Sequence, residues 1–189
     1  PGEANLVSAV AANDGSLKAM ITFVAPSAAI DGSSLEAPLT IDIMRNGEKI
    51  GEMENIAPNG SYTYEDNAAE EGVNTYSVIA KNAMGEGKES NSVEVYVGLD
   101  TPIAPTNIQS SQTDSTITLT WDAATIGSHG GYVKTADVRY NVYEIEETNM
   151  GANLTLIKKV AETSISIPYK TNVGRQDMIN YALSSENSM

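Results

Sequence analysis

Few residues of this 189-residue chain could do chemistry, and their spacing argues against most uses. Gly85-Glu86-Gly87-Lys88 hints at a phosphate-cradling loop. A Walker loop needs Gly, four residues and then Gly-Lys-Ser/Thr ahead of a helix. Asn82 stands where the first Gly should be, Glu89 follows Lys88, and strand-like sequence comes next. A turn between strands explains these glycines better. His129 is the only histidine. Its neighbour Ser128 shares a Gly-rich loop, where adjacent residues lack the fixed base-to-nucleophile geometry of a hydrolase. One imidazole without cysteine leaves only hard, oxygen-ligand metals to consider.

Carboxylates cluster at Glu65-Asp66, Glu70-Glu71 and Glu144, Glu146, Glu147. No Asp-x-Asp-x-Asp-Gly spacing occurs, so an EF-hand-like loop is absent. A calcium ion among residues 65–71 would show as a shifted melting temperature on titration; the expectation is no metal site. Glu144 and Glu146 share a strand face with Tyr140 and Val142, at the end where solvent takes over. Paired acids for glycoside hydrolysis need a cleft of set separations, which strand spacing does not supply. No catalytic residue, metal ligand or cofactor is therefore assigned, and the chain is not expected to be an enzyme. The 9 tyrosines could stack on sugars if exposed. Tyr62 and Tyr64 share one strand face and Tyr132 lies in a loop, whereas Tyr76, Tyr140 and Tyr181 read as core.

Composition narrows the classes further. At 41% apolar and 19% charged, the chain is globular, and its length fits two domains with separate cores. Its apolar runs are only a few residues, far short of the ~20 that span a bilayer, so no direct membrane insertion is expected. Net charge is −14: residues 1–100 carry 16 acidic and 5 basic groups, residues 101–189 carry 9 and 6. Without a basic stripe to neutralise phosphates, nucleic acid is excluded as a partner. Anionic membranes would be repelled, and the acidity reads as a solubility device. The lack of cysteine excludes disulfides and thiolate metal sites but leaves the compartment open.

The elements that position these residues occur twice. Asn74-Thr75-Tyr76-Ser77-Val78-Ile79-Ala80-Lys81-Asn82-Ala83-Met84 returns as Ile179-Asn180-Tyr181-Ala182-Leu183-Ser184-Ser185-Glu186-Asn187-Ser188-Met189. A repeat near a hundred residues long is a domain duplication. Ala19, Ile21 and Phe23 alternate with Lys18, Met20 and Thr22, as Ile117, Leu119 and Trp121 do with Thr116, Thr118 and Thr120, and Phe23 and Trp121 take the same slot. Gly/Ser-rich loops follow at 29–38 and 126–135. Leu39, Ile41, Ile43 then match Val138, Tyr140, Val142. Asn46-Gly47 predicts a type I′ hairpin turn, replaced in the second copy by a longer excursion over 146–153. Residues 67–72 offer at most one helical turn. Many short strands with regular turn signals predict all-β antiparallel sandwiches. Residues 99–105, stiffened by Pro102 and Pro105, form the boundary between domains 1–100 and 101–189 and predict an end-to-end arrangement.

The pattern resembles fibronectin type III. Trp121 in Leu119-Thr120-Trp121-Asp122 matches that family's second-strand Trp, with Phe23 as its substitute in the first copy. Tyr76, Val78, Ala80, Asn82 and Gly85 match the sixth-strand motif; Tyr181, Leu183, Ser185 and Asn187 match it more loosely. The resemblance implies two tandem immunoglobulin-like sandwiches, with Phe23, Tyr76, Trp121, Tyr140 and Tyr181 as core markers. It also implies that the second copy lacks its last strand, the counterpart of residues 88–98. The expectation is a piece of a longer protein, cut at both ends near or within domains. The other reading is strand exchange at the open edge of the second domain.

Ile21–Pro26, Arg45-Asn46-Gly47, Val95–Pro102 and Gly130–Val133 also resemble tandem repeats of secreted and cell-surface multidomain proteins of Gram-negative gut anaerobes. Asp114-Ser115-Thr116 looks like the three-residue O-glycosylation signal of such bacteria. The resemblance implies an exported, extracellular or cell-surface protein in which these domains are non-catalytic spacers or interaction modules, meeting protein or carbohydrate at the cell surface. A carbohydrate- or host-surface-binding adhesion module using loops 29–38 and 126–135 is the alternative. Accessory domains of a secreted enzyme are the third.

Overall fold

The computed structural model of the chain describes residues 1–35, 37–169 and 178–187. Alternating residues bury one face of strands such as Ala19–Val24 and free the other, and the chain forms two compact units. These are Pro1–Leu99 with Gly130–Tyr132, and Asp100–His129 with Val133–Met189. Asp100, read from sequence as the last residue of the first domain, belongs to the second.

The first unit holds β1 (Asn5–Ala11), β2 (Ala19–Val24), β3 (Leu39–Arg45), β4 (Glu48–Ile56), β5 (Ser61–Asp66), β6 (Gly72–Asn82), the two-residue β7 (Gly85–Glu86) and β8 (Val93–Val97). One sheet runs β1-β2-β5; the other runs β4-β3-β6, with β7 and β8 both paired to β6. The second unit holds β9 (Thr106–Gln112), β10 (Thr116–Asp122), β11 (Val138–Thr148), β12 (Gly151–Val160), β13 (Ser164–Pro168) and β14 (Asn180–Asn187). Its sheets run β13-β10-β9 and β12-β11-β14. Every strand pairing is antiparallel. The fold is all-β: two immunoglobulin-like, fibronectin type III-like sandwiches. Among the described residues β14 has one neighbour, β11, where β6 has β3 plus β7 and β8.

Asn46 and Gly47 take φ of 53° and 82°, the left-handed pair a primed turn requires, and join β3 to β4 at Arg45↔Glu48. One local reading differs from the sequence pattern. The 146–153 excursion is not a loop: β11 and β12 pair out to Thr148↔Gly151, so only Asn149 and Met150 turn. Its strands are exposed, so no buried alternation marked them. β7 and β8 are separate, with Gly87 and Ser90 amides donating to Ala80 and Val78 carbonyls between them. Residues 67–71 are irregular, within the expected limit of one helical turn, and a 3-10 turn lies at Thr135–Asp137.

The first core gathers Phe23, Leu39, Ile41, Ile43, Tyr76 and Val78, all fully buried. The second centres on Trp121, which meets Tyr140 edge-on with ring centroids 5.5 Å apart, beside Leu119, Val138 and Val142. Tyr140 also accepts a hydrogen bond from the Ala124 amide at 3.0 Å. Tyr181 packs against this core yet is only half-buried. The motif's last two residues, Ser188 and Met189, lie outside the described residues.

Candidate functional site

Loops at one end of the first sandwich build a concave surface. The chain leaving β2 folds into a small hairpin: Ala28 bridges Ser34, and the Ala29 amide donates to the Ser33 carbonyl at 3.0 Å. Asp31 at its tip accepts from the Ser33 amide and hydroxyl at 3.0 and 2.6 Å. Those bonds hold the Asp31 carboxyl below its ordinary 3.8. The β6–β7 turn rises opposite, with the Asn82 side chain accepting from the Met84 amide. Between them lies a cleft of about 540 Å3, lined by Ile30, Asp31, Leu35, Met84 and Glu86 among others. Ile30 and Met84 are 75% and 89% exposed, so the cleft offers apolar side chains under an acidic rim. Among the described residues no aromatic ring lines it. Position 36 of the loop lies outside the described residues.

Ser128 and His129 do meet in the second unit, around the carboxylate of Asp100. Asp100 is buried and accepts from the Thr101 amide at 2.7 Å and the His129 amide at 2.8 Å. His129 Nδ1 lies 2.9 Å from Asp100 Oδ1 and 3.1 Å from Ser128 Oγ. A hydrolytic triad needs the carboxylate on one ring nitrogen and the hydroxyl on the other. Here both meet the same nitrogen, so Ser128 gains no base and the arrangement is a loop clamp. Gly127 completes it: a Cβ there would fall 2.1 Å from Asp100 Oδ2, so no other residue fits.

The remaining candidates are similarly occupied. Gly87 donates its amide to the sheet and Lys88 pairs with Glu3 at 2.9 Å, so Gly85–Lys88 forms a strand turn rather than a phosphate cradle. Within the 65–71 acidic cluster, Asp66 is buried and accepts from Arg45 at 2.8 Å and the Tyr76 hydroxyl at 2.9 Å. Arg45 also reaches the Ala68 carbonyl and, at 3.4 Å, Glu70. Burial pushes the Tyr76 hydroxyl far above its ordinary 10.0, and its bond to the Asp66 carboxylate adds to the rise. Asp42, also buried, pairs with Lys81 and with Lys49. Burial works to raise its carboxyl, but the two ammonium groups outweigh that and hold it below 3.8. Among the described residues no three His, Asp or Glu side chains converge on a metal position. Tyr62 and Tyr64 lie half-buried against the first core, with Tyr62 accepting from the Ala57 amide at 2.9 Å.

No family model and no curated protein matches the chain. One similar solved structure is the crystal structure of the chicken CNTN1 FN1–FN3 domains, 17% identical, with a TM-score of 0.36. The match covers 97% of this chain and 61% of that one. Among the described residues no helix is long and apolar enough to cross a membrane.

Proposed function

We propose that the chain is a non-catalytic spacer and interaction module of an exported, surface-associated or secreted protein. The observation that carries this reading is the Asp100 clamp. The one arrangement of carboxylate, imidazole and hydroxyl is wired to hold a loop, with the hydroxyl on the wrong nitrogen for catalysis. Asp66 with Arg45, and Asp42 with its lysines, likewise tie strands together.

The contact surface is the cleft between loop 29–35 and the β6–β7 turn. Its exposed Ile30 and Met84, without an aromatic platform, favour a protein partner over a sugar, because rings supply stacking for sugars. A glycan array probed with the purified chain should be silent. Binding that substitutions in loop 29–38 or 126–135 abolish would replace this reading with the carbohydrate-adhesion one. Fractionation of the producing cell should place the protein on the surface or in the medium; a cytoplasmic pool would overturn export.

A further inference from the structure

We propose that β12 is a self-association edge: two copies of this chain pair their β12 strands antiparallel, about a two-fold axis at Thr155. The surface lies in the second repeat, so it goes beyond the reading above and holds whatever the first repeat's loops bind.

The β11–β12 hairpin carries apolar residues that its own sandwich does not use. The second core ends at Val142 and Val160. Past Val142, β11 runs six more residues to Thr148, each paired with β12, whereas β3 runs two residues past Ile43 to its turn. On this extension Tyr143 stands opposite Leu156, and Ile145 opposite Leu154. Alternation puts these four on one face and Glu144 and Glu146 on the other. Leu154 and Leu156 are 58% and 51% exposed. In the first repeat Ile50 and Met53 of the matching strand, β4, instead pack against the core.

The outer edge of this hairpin is undefended. β12 is the last strand of its sheet among the described residues. Natural edge strands carry charges or proline that discourage pairing. β4, in the same place in the first repeat, has Glu48, Lys49, Glu52 and Glu54 along its length. β12 has neither charge nor proline from Gly151 to Ile157. Its segment Ala152-Asn153-Leu154-Thr155-Leu156-Ile157 is of the uncharged, strand-forming kind that pairs with further strands.

The order of residues along β12 selects a second copy as the partner. Leucine stands on both sides of Thr155, so an antiparallel pair centred there sets Leu154 of each copy against Leu156 of the other. Each row across the joined sheets then reads Tyr143, Leu156, Leu154, Ile145, two residues from each copy, and the apolar face doubles. The same centre sets Lys158 against Ala152 of the other copy, whose neighbour across the hairpin is Glu147. Opposite charges therefore approach at both ends of the pairing, the same contact made twice. The net charge of −14 opposes this weakly. Residues 1–100 carry 16 acidic and 5 basic groups, residues 101–189 only 9 and 6, and physiological salt screens exposed charges beyond about 8 Å.

Sedimentation of the full chain from about 10 μM to about 1 mM should show the apparent mass rising toward double. Hydrogen exchange in residues 151–158 should slow by about tenfold over the same range. Charge variants locate the contact. A chain carrying Leu154→Lys with Leu156→Lys, and one carrying Leu154→Glu with Leu156→Glu, should each stay monomeric, and their equimolar mixture should regain the dimer. Trp121 emission, which reports the second core, checks that both variants are folded. A strict monomer at the highest concentration, dimers that persist in either variant alone, or a mixture that stays monomeric would overturn the proposal. So would a monomeric chain whose β12 amides are protected only when another protein of the producing cell is added, which would give the edge to that partner.

Discussion

Tyr76 and Tyr181 stand at one position in two copies of one strand, in different surroundings. Tyr76 faces Arg45 across the sheet and donates its hydroxyl to Asp66. Tyr181 faces Glu144, and the place of Asp66 is taken by Ile167: Ala19 pairs with Asp66 in one sandwich as Ile117 pairs with Ile167 in the other. Burial raises the Tyr181 hydroxyl above its ordinary 10.0, and Glu144 adds a like-charge push. Duplication therefore kept the frame, strand order and register, while the polar lining diverged. The first sandwich ties Tyr76 to an Arg45–Asp66 ion pair; the second rests on Trp121 against Tyr140.

The contrast can be broken where it matters most. Trp121→Ala should cost ~3–5 kcal/mol in the second repeat's denaturant transition and leave the first unchanged; a loss under ~1 kcal/mol would remove Trp121 from the core. Asp66→Ala should follow, at about 3 kcal/mol in the first repeat's transition, because it strands Arg45 beside an empty site. A paired comparison sharpens the point. Tyr76→Phe loses a hydrogen bond to a carboxylate and should cost ~1.5–3 kcal/mol, whereas Tyr181→Phe should stay within about 0.5. Equal costs would mean that the two linings are energetically alike.

The smallest effect is on pH dependence. Asp42 has a depressed carboxyl, so its contribution is present above the ordinary 3.8 and lost as pH falls through the lower folded value. Urea melts taken from about pH 5 to pH 2 should show the first repeat weakening, less steeply in Asp42→Asn. The second repeat should be indifferent to that substitution.

Alternation made the sandwiches legible: Ala19, Ile21 and Phe23 announce β2, and Asn46-Gly47 announces its hairpin. What escaped was carried by tertiary contact. Arg45 continues the inward face of Ile41 and Ile43, and Asp66 that of Tyr62 and Tyr64; charges at inward positions on strands were the available signal for their pairing. Asp100 offered no such sign, since its value depends on amides of Thr101 and His129 brought together by the fold. The exposed arms of β11 and β12 hid for the opposite reason, because backbone pairing holds them and no buried face marks them.

The Asp100 clamp also bears on how this repeat could be moved between proteins. Sequence punctuation invites a joint at the prolines, with Thr106 opening the transplanted piece. Such a joint discards the carboxylate that holds the Thr101 and His129 amides, together with the Pro102 backbone that bridges Gly127. It also strips the Asp100 carbonyl to which Asn187 donates at 3.0 Å. Recombination that respects Asp100 would keep the loop and β14 anchored; recombination six residues later would leave both unmoored.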